Sequence, residues 1–172
     1  MLDCSKTERN RFWEYIHPQW SILDPQLHSK QFVRERSAFL FTVILAIGST
    51  ALATLPDGTE EDVSRAIKLQ AHAEKVLLVT FAIGAKSCEI IQGHILFHMW
   101  SFAARRYVDD QRWVRMAMCS RMALELGLHR KRKLAAQPGT DTRLVLNDVR
   151  IRAFLIIAEN RYAHPPRIAP LI

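Results

Sequence analysis

The stretch from Trp113 to His129, WVRMAMCSRMALELGLH, constrains the fold more than any other part of the chain. At the helical period, Met116, Cys119 and Ala123 share one face, while Val114, Ala117, Leu124 and Leu128 share the opposite one. A helix with two apolar faces belongs between neighbours inside an all-helical domain. Asp109 and Asp110 stand ahead of it as cap candidates. Gly127 follows Leu126 where a left-handed residue ends a helix, and Leu128 is placed to fold back onto the last turn. A helix from Asp110 to Leu126 is therefore expected, the most buried element of the molecule, with Gly127 at positive φ.

The rest of the chain agrees with an all-α fold. Helix formers dominate, period-2 alternation is nearly absent, and 172 residues at 49% hydrophobic content suffice for one domain with a core. Pro18 and Pro25, with Trp13 and Trp20, mark residues 1–30 as an irregular segment lying over a domain that spans 31–172. A long helix is expected from Gln31 to Leu55, stopped by Pro56-Asp-Gly58. Thr59-Glu-Glu-Asp62 is a capping-box start for a helix reaching about Ile83. Gly84 to Ser87 connects to a helix capped by Ser87 and running to about Arg106. After the 113–129 stretch comes a basic loop to Thr142. Asn147 or Asp148 then caps a last helix to about Tyr162, closed by Pro165, Pro166 and Pro170. The expected architecture is an antiparallel bundle or array of about five to six helices.

Within this frame the 113–129 stretch resembles the middle homology region of fungal zinc-cluster transcription factors, the fungal-specific transcription factor domain. Trp113, Met118, Arg121, Met122, Ala123, Leu126, Gly127, Leu128 and His129 match its pattern, with Ala117 and Cys119 as small replacements. Ser37 to Ile47 resembles the family's early helix, Lys86 to Gln92 the start of a core helix, and Arg150 to Arg161 an Arg-rich helix containing Glu159 and Arg161. The resemblance implies an all-helical regulatory domain of a nuclear transcription regulator, in which these matched residues are structural. It also implies that zinc, the family's cofactor, sits in an upstream six-cysteine module that reads the DNA. Cys4, Cys88 and Cys119 cannot form such a cluster, because adjacent zinc ions need closely spaced, shared thiolates. No cofactor is therefore expected in this chain, and contact with DNA is expected only through an absent module. The family continues past the last matched helix with a Gly-containing turn and more helices. Tyr162 to Ile172 lacks that glycine, so an incomplete domain with uncovered apolar faces is expected, open to protein partners or self-association.

Few residues point to chemistry. His94 and His98 have the i, i+4 spacing of a two-histidine metal site, but Ile95 stands where the zincin pattern needs Glu, and both read as structural. No nucleophile elbow, phosphate-binding loop or carboxylate pair is present, so no catalytic, metal or DNA-binding residue is assigned. A net charge of +7 invites a nucleic-acid partner, yet Arg105, Arg106, Arg112, Arg115 and the His129–Lys133 cluster do not gather on one surface. That cluster also has the composition of a nuclear-localisation signal; the plainer reading is cationic residues beyond a helix C-terminus. Arg121 falls within the Val114–Leu128 apolar stripe. It either snorkels to solvent or is buried and paired, with Glu159 the favoured partner over Glu125. Two rival readings stay open. The uncharged run Ser37–Leu55 has the length of a single membrane span, and the frame could be an inactive gene fragment.

Overall fold

The computed structural model describes residues 4–100, 110–130 and 142–163, the side chains of 4–6 and 161–163 excepted. Among the described residues the elements are α1 (Cys4–Arg11), continuing into a π-helical turn (Phe12–Ile16), α2 (Lys30–Arg36), α3 (Ala38–Ala53), α4 (Glu60–Ala82), α5 (Cys88–Trp100), α6 (Arg112–Glu125) and α7 (Thr142–Ala163). There is no strand among them, and the fold is all-α.

Two helices act as hubs. Against α3 pack α1, α2, α4 and α5, and against α5 pack α3, α6 and α7. Their sequences explain this. In α3, Phe39, Leu40, Val43, Ile44 and Ile47 are all buried, and in α5 every residue from Glu89 to His98 is buried. Small residues let backbones close in: a Cβ on Gly48 would lie 2.0 Å from the Glu8 carbonyl oxygen of α1, and one on Gly93 would lie 2.9 Å from the Phe39 ring.

Several sequence expectations change here. Residues 4–16 are helical, not irregular, and Phe12, Ile16, Ile22 and Leu23 belong to the hydrophobic core. The i, i+4 pair Phe12 and Ile16 carries this, with Trp13 packed beside it, after a polar run from Ser5 to Arg11. The expected helix 31–55 is two helices. Ser37 breaks it in an extended conformation (φ −154°), and its hydroxyl accepts from Leu40 N at 3.1 Å, capping α3. No helix among the described residues is long and apolar enough to cross a membrane.

At α4 the Thr59–Asp62 capping box forms as read, each side chain taking the other's backbone N–H at 3.2 and 3.1 Å. Ser87 caps α5 through Ile90 N, while the reach to Arg106 lies outside the described residues. The helix expected from Asp110 starts at Arg112; Asp110 accepts from the Arg112 N–H and guanidinium instead of capping, and Asp109 is outside the described residues. The last helix is already formed at Thr142, ahead of the expected cap at Asn147 or Asp148, and Asn147 lies inside it, buried. Residues 131–141 and 164–172, with the Lys131–Lys133 cations and the terminal prolines, lie outside the description.

Candidate functional site

Both ends of the α4–α6 region are shaped by glycine. At the end of α6, Gly127 has φ +72°, Leu128 N donates to Ala123 O at 2.9 Å, and Gly127 N donates to Leu124 O at 3.0 Å. That is the Schellman stop read from the sequence, and Leu128 is buried beneath it. The end of α4 repeats it: Gly84 has φ +65°, Ala85 N donates to Thr80 O and Gly84 N to Phe81 O. This second stop carries Lys86 across to α6.

A pocket of about 190 Å³ opens where that turn meets α6. Phe81, Met118 and Met122 form its apolar walls, with Gly84 and Ala85 beside them and Lys86, Arg121 and Glu125 at the rim. Lys86 Nζ bonds Glu125, and Arg121 Nε donates to Glu125 Oε1 at 3.2 Å. Hydrogen bonds from both cations hold the Glu125 carboxyl below its usual range. Beside Phe81 lies His94, ring centroids 4.7 Å apart, and the Phe39 ring is 5.0 Å from the same imidazole. Burial lowers the His94 imidazole to about 3, with Arg115 and His98 adding to the effect. Its Nε2 has no hydrogen-bond partner among the described residues. His94 is therefore a neutral ring stacked in the core, and no group of three or more metal-ligating side chains occurs among the described residues.

Of the sequence-matched residues, Met122, Ala123 and Leu128 are buried and Leu126 is half-buried, whereas Trp113 is 64% exposed and His129 is exposed. Arg121 corrects the expectation of a buried pair with Glu159. Its side chain is 74% exposed and meets Glu125 one turn away, while Glu159 bonds Ser120 Oγ. The physical reason is that only one of the two apolar faces of α6 is covered. Met116, Cys119, Met122 and Ala123 face the core; Val114, Met118 and Leu124 are 40–50% exposed, and α5 is more deeply buried than α6. The Arg161 side chain lies outside the described residues.

That outer face joins a groove between α6 and α7. Ala123, Leu128 and Leu155 floor it, Leu124 and Ile156 form its lips, and Arg152, His129 and Glu159 stand around it. On the opposite side of α7 a polar latch ties three parts of the chain together. Gln92 of α5 donates to Asn147 Oδ1 of α7 at 2.9 Å and to the Ile22 carbonyl at 3.2 Å. Its Oε1 faces His28 Nε2 at 3.1 Å, and His28 Nδ1 takes the Asp24 N–H at 2.9 Å. Asp24 in turn meets Arg143 at 3.1 Å. Sequence reading missed this latch; the signal was Gln92 itself, an uncharged polar residue amid the apolar run of a helix buried from Glu89 to His98. It also missed the fork from Arg115 to Glu74 that joins α6 to α4.

Burial pushes the Cys119 thiol far above its ordinary value, whereas Cys88, half-buried, donates to Asp148 at 3.6 Å. Neither has the electropositive, partly open surroundings of a nucleophilic cysteine. Compared with known proteins, residues 10–143 match the model of a family described as the fungal specific transcription factor domain. No curated protein matches the chain, and no solved structure does.

Proposed function

The chain belongs to the fungal specific transcription factor domain family, and on that premise we propose that it is a transcription factor's regulatory region, acting in the nucleus on an attached DNA-reading and activating module. The family is one of transcription-factor regulatory domains, not a known enzyme family. The observation that carries the reading is the match over residues 10–143, which spans α2 to α6 entirely, on an all-helical frame. In this reading the chain holds no zinc of its own, and DNA is reached through a zinc-cluster module rather than through these helices.

Two experiments test it. Joined to an unrelated DNA-binding and activation module in a yeast reporter strain, the chain is expected to change output severalfold at equal protein level and to collect in the nucleus. Unchanged output would remove the regulatory reading. In gel-shift and metal analysis of the chain alone, stoichiometric zinc with salt-resistant, sequence-specific DNA binding would overturn the claim that the DNA reader lies elsewhere.

The outer faces support a protein partner or self-association. Val63, Ile67, Leu78 and Val79 of α4, Leu124 of α6 and Ile156 and Ile157 of α7 are each 45–59% exposed. Side chains of this kind, where they adjoin, are what a partner or a second copy would cover. The chain in isolation is expected to gain mass with concentration in light scattering and to bind a hydrophobic dye; a monodisperse monomer that binds none would refute this.

A further inference from the structure

We propose that the pocket between the α4–α5 turn and α6 binds a compact aromatic monocarboxylate, the ring held by Phe81, Met118 and Met122 and the carboxylate by Lys86 and Arg121. This rests on the reading of the chain as a regulatory domain only for its biological use; the binding itself stands on the geometry.

Size comes first. The pocket measures about 190 Å³, and a cavity of roughly 150 Å³ accepts benzene, so one ring with a small substituent fits within it. The walls select the ring. Phe81 offers an aromatic surface, already braced by the His94 ring beside it, and two thioethers stand opposite on α6. Methionine sulfur and an aromatic edge attract each other, and methionine adapts its shape to what it meets.

Charge selects the acid. Lys86 and Arg121 both close on the single carboxylate of Glu125, so the rim carries one positive charge in surplus. Arg121 uses Nε for Glu125, which leaves the terminal amino groups of its fork as donors for a second carboxylate. Its side chain is 74% exposed and turns without disturbing the core. The left-handed Gly84 fixes where Lys86 stands, so the cation is placed before any ligand arrives.

Isothermal titration of the full chain with benzoate, benzamide and acetate tests this. Benzoate is expected to bind at one site per chain, with benzamide and acetate each at least tenfold weaker. Combining Lys86→Met with Arg121→Leu is expected to bring benzoate down to the benzamide level. Met118→Trp, which fills the pocket from a half-exposed position, is expected to abolish binding with the helical spectrum intact. Benzamide binding as tightly as benzoate would overturn the cationic rim, and benzoate binding undisturbed by Met118→Trp would overturn the location. No binding of benzoate would sink the proposal while leaving the reporter experiment above free to succeed.

Discussion

Gly127 is where a single residue decides most. Its φ of +72° costs glycine little, but a β-branched side chain pays for both the left-handed backbone and its own bulk. Gly127→Val is expected to lower stability by about 1–2 kcal/mol in urea unfolding. A variant as stable as the parent would mean that the α6 stop does not depend on glycine. This position was fully legible in the sequence, because a Schellman stop is a local event spelled by neighbouring residues. Arg121 was not. Its partner depends on which side of α6 is covered, and a helix with two apolar faces does not say which one meets the core. The cysteines offer a second test at this scale. Alkylation is expected to modify Cys88 at least tenfold faster than Cys119, whose thiol is buried and held protonated. Equal rates in mapped digests would contradict that burial.

Between elements, the Gln92 latch outweighs any single surface ion pair. It satisfies a carbonyl of the N-terminal segment, an amide of α7 and an imidazole at once, all away from water. Gln92→Leu keeps the volume and removes the bonds made by the amide, leaving Ile22 O, Asn147 Oδ1 and His28 Nε2 without it; the expected loss is about 1–3 kcal/mol. Adding Asn147→Leu is expected to cost less than the sum of the two single changes, since the second deletion removes a group already stranded. Strict additivity in that cycle would show the two side chains to be uncoupled. The elements themselves were largely readable: capping residues, the Pro56-Asp-Gly58 turn and apolar runs located α4, α5 and α6. The break at Ser37 and the helical start at Cys4–Ile16 were not. One serine in an apolar run reads as tolerated until its hydroxyl is seen capping, and only two of the buried side chains at the helical start, Phe12 and Ile16, are apolar, which makes a weak period.

For the whole molecule, the buried histidines tie stability to pH. His94 has an ordinary value of 6.5 and titrates at about 3 in the folded chain, and burial moves His28 the same way. Above about pH 6.5 both states are neutral there and the stability is complete. As the pH falls toward 3, the unfolded chain takes up a proton that the folded chain refuses, and stability drops by up to about 1.4 kcal/mol per unit. Urea midpoints are expected to fall between about pH 7 and about pH 5, less steeply in His94→Leu than in the parent. Parallel slopes would assign the acid sensitivity elsewhere. The latch also has a consequence in time. It joins residues 55 to 70 positions apart, whereas the Gln70–Thr50 bond between α3 and α4 spans 20. Closing the longer loops costs about 1 kcal/mol more in chain entropy, so the α3–α4 hairpin is expected to assemble first and the latch to close after the rate-limiting step. In stopped-flow measurements Gln92→Leu is then expected to accelerate unfolding and leave the refolding rate nearly unchanged. With that outcome the latch would be the molecule's brake on opening, setting how long a folded copy persists rather than how fast one forms.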